Sequence, residues 1–367
     1  MNNIFKLKRI WLMILFPIGL IVSYIAREIP SFAEWYSNTI YYYISRGINF
    51  ITSLVPFSIA EIIVLCFILF VLVYIIIYIF KLIKYKENRK VTAIKFILNP
   101  ICFGCTLYFI FVMFCSINYS RFTFAQTCGL EVKPSSESEL IELCSAIADE
   151  VNISRKSVTT DNKNVMKLSN SDIYAAAKEA QKSFDKINSD YPLLRSGYGQ
   201  PKPVLSSRLM SYCNITGIFF PFTFEANVNT DVPDYSIPST MCHELAHLRG
   251  YMREDEANFI GYLACKKSER ADFQYSGKML AFINASNALF SADPKEAEKV
   301  YSKLSSGVLT DLINNSEYWK QFEGPAAETA NKVNDSYLKA NNQHDGVKSY
   351  GRMVDLLLAE YRKNKPQ

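Results

Sequence analysis

Two of the chain's three histidines are four residues apart, with a glutamate between them, in the stretch MCHELAHLRGYMREDEAN, residues 241–258. In a helix, residues four apart lie on one face, so His243 and His247 can present two ring nitrogens to one metal ion. Glu244, one step round the helix, is placed to accept a proton from a zinc-bound water that the ion has made more acidic. These residue types at this spacing predict a zinc site of the metallopeptidase kind.

A catalytic zinc site needs a third protein ligand, and the nearby candidates are Glu254, Asp255 and Glu256. A second helix is predicted to begin near residue 252 or 253 and to continue past Cys265. One narrow stripe on it is rich in small residues, which close approach of two helices requires: Glu254, Ala257, Asn258, Gly261 and Cys265. The stripe favours Glu254 as the ligand, with Asn258 as a partner for a ligand histidine, and leaves Glu256 as the alternative.

The segment before this motif, residues 202–229, has the composition of one or two short strands with a turn at Gly217. Pro221 suits an edge strand, and zinc peptidases commonly hold the substrate backbone against such an edge. Glu225, Asn227 or Asn229 are therefore candidate substrate contacts. The alternative is a strand that only covers the histidine helix.

Peptide hydrolysis also needs a donor for the oxyanion that forms when water attacks the scissile carbonyl. The third histidine, His344, is predicted to be an exposed loop residue, whereas Tyr251, Tyr262 and Tyr275 lie nearer the motif in sequence. We predict Tyr275 as the donor, with a place in the hydrophobic core as the alternative.

Three apolar runs, at about residues 10–26, 60–80 and 96–118, are each near the length of a membrane-spanning helix. The first is predicted to be a retained anchor, since no clear cleavage site follows it. Basic residues are concentrated in the N-terminal tail and between the second and third runs, so these segments are predicted to be cytoplasmic. The C-terminal part is then extracytoplasmic, and the protein is a multi-pass protein of the cell membrane.

The loop between the first two runs, residues 27–61, is aromatic and mostly uncharged. It is predicted to be amphipathic and to lie at the outer headgroup level, with Tyr41, Tyr42 and Tyr43 in the interface.

The net charge of +5 is concentrated in the predicted cytoplasmic segments, and the sequence has no basic and aromatic patch typical of nucleic-acid binding. No nucleic-acid partner is therefore expected. Of the nine cysteines, five lie outside the spans, an odd number that gives no disulfide framework. The expected partners are the lipid bilayer and a peptide or protein substrate of the cell envelope.

The chain is thus divided into a membrane domain (residues 1–120), a linker (121–136) and an extracytoplasmic domain (137–367). In the last, helices are predicted at 137–151, capped by Ser135 or Ser136, at 172–188, capped by Ser169 or Ser171, and at 347–362. The fold class is mainly α, with a small β element before the HExxH helix.

Together, His243, Glu244, His247, Glu254 and Asn258 resemble the gluzincin metallopeptidases, which have HExxH on one helix and Glu-x-x-x-Asp on the next. The resemblance implies that Glu254 is the third zinc ligand and that Asn258 supports a histidine. The sequence departs from the pattern because Asn258 replaces the commoner Asp and because the interval from His247 to Glu254 is shorter than in thermolysin-like enzymes.

Four longer stretches extend the likeness over nearly the whole chain: PFSIAE, GIFFPFTFEANVN, CHELAHLRGYMREDEANFIGYLAC and NDSYLKANNQHDGVKSYGRMVDLLL. They resemble an uncharacterised bacterial family of membrane-anchored HExxH proteins with three N-terminal transmembrane helices. The resemblance implies a peptidase-like protein and gives no substrate.

The sequence therefore predicts a membrane-anchored zinc metallopeptidase that hydrolyses peptide bonds on the outer face of the cytoplasmic membrane, with Glu244 as general base. The alternative is a non-catalytic zinc-containing membrane sensor or binding protein. The predicted cytoplasmic segments are short and basic, which leaves little room for an output domain and favours the enzyme.

Overall fold

Three long apolar helices dominate the first third of the chain. The computed structural model describes residues 8–365, so most of the predicted cytoplasmic N-terminal tail and the last two residues lie outside the described range. The helices that are long and apolar enough to cross a membrane are Arg9–Glu28, Ile59–Lys84 and Lys86–Phe114. They contain α1 (Leu15–Glu28), α4 (Ile59–Lys84) and α5 (Arg89–Phe114). All three predicted spans are therefore found as helices, and each is longer than predicted.

The chain between α1 and α4 forms α2 (Pro30–Tyr36), a π-helical turn (Ser37–Tyr41) and α3 (Tyr42–Thr52). This segment is amphipathic as predicted, but the polar side of α3 is the packed one. Ser45 and Asn49 are buried against the rest of the protein. Their hydrogen-bonding groups need partners that the folded chain supplies.

The apolar side of α3 faces outward, with Tyr43 73% exposed and Phe50 69% exposed. Tyr41, expected with its neighbours in the headgroup interface, is instead buried within the protein. Its hydroxyl donates to the carbonyls of His247 and Leu248, 3.3 and 3.2 Å away, which draws the side chain inward.

The chain after α5, residues 116–365, is mainly helical, as predicted for the domain at 137–367, and we call this whole region the C-terminal domain. Its helices in chain order are α6 (Phe124–Cys128), α7 (Glu137–Arg155), α8 (Ile173–Ile187), α9 (Ser207–Tyr212), α10 (Ile237–Leu248), α11 (Glu254–Lys267), α12 (Ala271–Ala292), α13 (Pro294–Tyr301), α14 (Ser306–Lys320), α15 (Pro325–Ala340) and α16 (Met353–Asn364).

The β structure is small. Its strands are β1 (Thr159–Thr160), β2 (Met166–Lys167), β3 (Lys202–Pro203), β4 (Gly217–Phe220) and β5 (Glu225–Val228). The first two pair with each other, and the other three form a sheet in the order β3-β5-β4, with β5 parallel to β3 and antiparallel to β4.

The predicted turn at Gly217 is wrong, because Gly217 begins β4 and the turn occupies residues 221–224. Pro221 cannot donate to a strand ladder, and Phe224 adopts a φ of 50°, so the chain leaves the extended conformation here. The edge strand is therefore β4, and β5 is central.

Capping side chains set several helix starts. Ser136 caps α7 in a reciprocal pair with Glu139, as the sequence predicts, and the helix extends to Arg155. The cap of α8 is Asp172, not Ser169 or Ser171 as predicted. The Asp172 carboxylate accepts the backbone amides of Tyr174 and Ala175. The predicted C-terminal helix is divided into a 3₁₀ segment, Gly346–Arg352, followed by α16.

Helices α10, α11 and α12 pack against one another through small residues. A Cβ atom added at Gly261 of α11 would lie 3.1 Å from the backbone nitrogen of His243 on α10. One added at Gly277 of α12 would lie 2.6 Å from the Cβ of Cys265 on α11. Both positions depend on glycine for this close approach, which brings the two helices that carry the site side by side.

Candidate metal centre

His243, His247 and Glu254 form a cluster in which one ligand atom from each lies within 4.8 Å of the others. Glu254 Oε2 is 3.2 Å from His243 Nε2 and 3.5 Å from His247 Nε2. The histidines come from successive turns of α10, and Glu254 is the first residue of α11. Gly250 adopts a φ of 84° after α10 ends, a left-handed conformation that lets the short connection turn back.

Each histidine is oriented through its other ring nitrogen. His243 Nδ1 is 2.8 Å from Asn258 Oδ1, and His247 Nδ1 is 2.8 Å from the carbonyl oxygen of Tyr251. A carbonyl oxygen only accepts hydrogen bonds, so Nδ1 of His247 carries a proton. Asn258 Oδ1 is also an acceptor, which gives His243 the same tautomer. Both Nε2 atoms are left to face Glu254, the arrangement found behind histidines that bind metals.

The lone pairs of His243 Nε2, His247 Nε2 and Glu254 Oε2 point toward one another. This arrangement is unfavourable unless a cation or a proton lies between the three atoms. Glu254 Oε2 is one of the buried side-chain atoms in residues 8–365 that have no hydrogen-bond partner. With both histidines neutral, neither Nε2 could donate to it. A bound Zn²⁺ would satisfy all three atoms, and two imidazoles with one carboxylate are a usual donor set for it. The residues therefore fit this metal.

The ionisation of His247 and the ionisation of Glu254 depend on each other. Burial disfavours the charged form of His247, but the Glu254 carboxylate outweighs it and raises the pKa of His247 to about 9. Burial also opposes ionisation of Glu254, yet the two histidines hold the pKa of its carboxyl well below the usual range. The cluster thus favours an ionised carboxylate that attracts positive charge.

Glu244 lies beside the cluster and is held by the edge strand. A Cβ atom added at Gly217 of β4 would lie 2.5 Å from Glu244 Oε1, so only glycine leaves room for this carboxylate. Burial raises the pKa of Glu244, and the histidines and the backbone amide of Phe219 oppose that rise. Its Oε2 has no hydrogen-bond partner in the part of the chain that the structure describes.

The C-terminal end of α10 is supported by the segment between the first two spans. Besides the Tyr41 hydroxyl bonds to this end, Arg121 pairs with Glu34 of α2 at 2.8 Å. The Arg121 guanidinium also lies 4.4 Å from the centre of the Tyr251 ring, whose carbonyl orients His247. The position of the candidate metal ligands is therefore tied to residues between α1 and α4.

A cavity of about 830 Å³ opens next to the cluster. It is lined by His243, Glu244, His247 and Glu254, and its other walls are mostly apolar. These walls come from α5, β4, α12, α14 and α15, and they include Phe111, Ile218, Leu280, Trp319 and Val333. A cavity of this size and character is typical of a ligand site with a few convergent polar groups.

Tyr350, from the 3₁₀ segment before α16, lines the same cavity. Its ring is nearly parallel to that of His243, at 13°, with the ring centres 6.5 Å apart. Burial and the nearby Glu254 charge raise the pKa of Tyr350 well above the usual range, while a bond to Asn334 opposes this. The hydroxyl stays protonated and can donate.

Sequence reasoning missed both Tyr350 and Asn334. Each lies in the stretch NDSYLKANNQHDGVKSYGRMVDLLL, whose likeness to other proteins was the only signal available. No spacing rule connects residues so far along the chain with the histidine helix.

Two of the predicted site residues lie elsewhere. Tyr275, predicted as the oxyanion donor, is fully buried in α12 and donates to Asp311 Oδ2 at 2.6 Å, outside the set of residues that line the cavity. Asp311 also pairs with Arg155, so Tyr275 belongs to a buried polar network of the core. Glu256, the alternative ligand, accepts from the Phe124 amide at 2.8 Å and pairs with Arg253 at 3.0 Å.

The predicted substrate contacts on β5 are also buried. The Glu225 carboxylate accepts the backbone amides of Ile59 and Ala60 at the start of α4 and pairs with Lys202. Asn227 Oδ1 accepts from Ser58 at 2.6 Å. Both residues therefore connect the sheet to the start of α4, one of the three candidate membrane helices.

Asn229, the third candidate, donates to Ser211 Oγ and to the Ile215 carbonyl, each at 2.9 Å. The side chains that line the cavity from this sheet belong to β4, one strand away from the predicted positions.

Comparison with known proteins gives one family. A family model described as a protein of unknown function, DUF3810, matches residues 36–358. The chain belongs to this family. The DUF3810 match begins at the end of α2 and ends within α16, so it includes β4, the metal cluster and Tyr350. No curated protein and no solved structure matches the chain.

Proposed function

We propose that the protein is a membrane-anchored zinc metallopeptidase of the gluzincin kind. The observation that supports it best is the buried His243, His247 and Glu254 set that faces a cavity of about 830 Å³ with the Glu244 carboxylate beside it. Structural zinc sites are closed by four protein ligands, whereas catalytic ones use three and keep a position open. Three ligands and an open cavity favour catalysis.

His243, His247 and Glu254 would hold the zinc ion. Bound Zn²⁺ supplies Lewis acidity, which makes a water molecule more acidic and polarises the scissile carbonyl. Glu244 takes the proton from the attacking water and returns it to the leaving amine. Its raised pKa, caused by burial, suits a group that must accept and then release a proton.

The free edge of β4 offers a place for the substrate backbone. The Asn229 amide donates to the Thr216 carbonyl, and bonded residues alternate along an antiparallel pair. Gly217 and Phe219 therefore direct their backbone groups away from β5, toward Glu244. An extended peptide added along this edge would place its backbone beside the zinc ligands.

Tyr350 takes the role first predicted for Tyr275. Tyr350 lines the cavity and its hydroxyl stays protonated, so it can donate to the oxyanion as the peptide carbonyl becomes tetrahedral. Tyr275, with its hydroxyl bonded to Asp311, has its donor already in use.

We further propose that the C-terminal domain is extracytoplasmic and that the substrate is a peptide or protein of the cell envelope. Helices α4 and α5 are joined by a short turn, and basic residues surround it: Lys81, Lys84, Lys86, Arg89, Lys90 and Lys95. Segments of this kind remain in the cytoplasm, which directs the opposite ends of both helices outward.

The test begins with zinc per chain, measured by elemental mass spectrometry on the full-length protein in detergent. We expect one zinc per wild-type chain, loss of zinc in Glu254→Gln, and retention in the matched control Glu256→Gln. The same samples are then incubated with a mixed-sequence peptide pool, and new peptide ends are identified by mass spectrometry.

Glu244→Gln separates the enzyme from a sensor. In an enzyme it should keep zinc and lose peptide cleavage by a factor of about 10²–10⁴, the usual contribution of a general base. A chain that binds no zinc contradicts the whole proposal. One that binds zinc but cleaves nothing would be a sensor or binding protein.

A further inference from the structure

The sheet beside the metal cavity is attached to the start of α4. The Glu225 carboxylate accepts the amides of Ile59 at 3.1 Å and Ala60 at 2.7 Å, two of the free donors at the N-terminus of that helix. Glu225 is 1% exposed, so this attachment is inside the protein. The position of the C-terminal domain relative to this span is therefore fixed.

In a second attachment the acceptor is on α4 and the donors are in the C-terminal domain. Glu61, in the first turn of α4, accepts the backbone amides of Leu205 at 3.0 Å and Ser206 at 2.7 Å. The exposed apolar part of α4 begins at the next residue, Ile62. The chain entering α9 thus lies at the level where the apolar span begins.

Three exposed apolar side chains lie in α9 or just before it. Leu205, two residues before the helix, is 89% exposed. Leu209 and Tyr212, three residues apart on one side of α9, are 66% and 46% exposed. We call them the α9 patch. Next to a span, an exposed patch of this kind has the bilayer itself as the surface that can cover it.

The metal cavity adjoins both the patch and a span. Directly after Tyr212, residues 213–222 form one wall of the cavity. Phe111, in the last turn of the spanning helix α5, forms part of another. A second cavity of about 330 Å³ lies between α1, α5 and the end of α15, and Phe111 and Tyr119 line both cavities. Phe111 and Tyr119 therefore lie between the metal cavity and a cavity beside the candidate membrane helices.

We propose that the metal site acts on polypeptides anchored in the same membrane, cleaving them close to where they leave the bilayer. The α9 patch lies in the adjacent leaflet and holds the cavity at the membrane surface. An anchored chain then reaches the β4 edge without crossing open water. This inference rests on the proposed peptidase function, and its test separates the two.

The first arm tests the α9 patch without reference to activity. The full-length protein is reconstituted in vesicles of phosphatidylcholine and phosphatidylglycerol that contain a diazirine-bearing phosphatidylcholine, irradiated, digested and examined by mass spectrometry. We expect lipid adducts on residues 205–212. Ile313 of α14, 58% exposed, is the internal comparison and should stay unlabelled. Labelling of residues 205–212 no stronger than that of Ile313 would overturn the proposal.

The second arm compares two peptide pools in the same vesicles, with identical mixed-sequence segments either free or joined to one model transmembrane helix. Anchoring raises the effective concentration at the site, so we expect the anchored pool to be cleaved about a hundred-fold faster. The double variant L205S/L209S should lose most of that advantage and keep its rate on the free pool. The matched control L309S/I313S, on exposed apolar residues four apart in α14, should keep both.

The outcomes are distinct. Equal cleavage of the two pools contradicts the membrane-anchored substrate and leaves the peptidase in place. A zinc-loaded protein that cleaves neither pool contradicts the peptidase, and this inference with it.

Discussion

Gly217→Ala tests the position of the general base without removing any functional group. The added Cβ would lie 2.5 Å from Glu244 Oε1 and 2.8 Å from Glu244 Cγ, and also 2.8 Å from Thr240 Cγ2. Ordinary contacts begin at 3.4 Å, so Oε1 must retreat by roughly 0.9 Å. Glu244 is 4% exposed, and its packed surroundings leave little room for that movement.

The expected effects follow from that displacement. Misplacing a catalytic group by about 1 Å lowers the rate roughly a hundred-fold. Overpacking of this kind costs about 1–3 kcal/mol of unfolding free energy. Zinc content should not change, because the added methyl group meets Glu244 and Thr240 and no metal ligand.

The assay compares kcat/KM, zinc per chain and thermal unfolding for the wild type, Gly217→Ala and a control, Gly47→Ala. Gly47 lies within α3 and a Cβ there meets nothing within 4 Å, so its replacement should leave all three quantities near wild type. Wild-type hydrolysis by a stable, zinc-loaded Gly217→Ala protein would refute the role given to the Glu244 position.

The remaining predictions concern pH, zinc binding and the two tyrosines. His247 has a folded pKa of about 9 in the zinc-free protein, raised above the unfolded value of about 6.5, so its stabilising contribution is complete below pH 6.5 and is lost as pH rises through 9. The zinc-free protein should melt at lower temperature across that range. Zinc binding near pH 7.5 should release a proton, seen by calorimetry in buffers of different ionisation enthalpy. Gly261→Ala should weaken zinc affinity, measured by competition with a chelator, because its Cβ would lie 3.1 Å from the His243 backbone nitrogen and push α11 away. Tyr350→Phe should lower kcat about 10²-fold with little change in KM, as for other oxyanion donors. Tyr275→Phe should leave kcat unchanged and cost about 1–3 kcal/mol of stability, since the buried Asp311 Oδ2 loses one of its two donors and keeps only Arg155.

The parts of the site that could be predicted from the sequence are those that local helical geometry determines. His243 and His247 share a face because four residues make about one turn, and Glu254 and Asn258 do so for the same reason on α11. The small residue Gly261 indicated where the two helices meet, and the structure has that contact. Each of these inferences needed only a short stretch of chain.

The rest depends on contacts between distant segments. Glu225 has the sequence context of a substrate contact, yet its carboxylate caps α4, a helix that begins more than 160 residues earlier in the chain. Tyr350 reaches the cavity through a 3₁₀ segment, and Tyr275 turns toward Asp311. The periodicity of the sequence does not reveal such long-range contacts, because they depend on how the helices pack after they form.

The segment between the first two candidate membrane helices is part of the scaffold of the candidate metal centre. Asn49 of α3 donates to the Phe224 carbonyl at 2.7 Å, and Thr52 donates to the Thr223 carbonyl at 3.1 Å. Without these segments the sheet would lose partners for two buried carbonyls and for the Glu225 carboxylate, each loss costing about 1–3 kcal/mol or more. The family match also begins before α3 and includes α4 and α5. The C-terminal domain therefore depends on residues 30–61 for its folded state, and zinc and activity measurements should use the full-length chain.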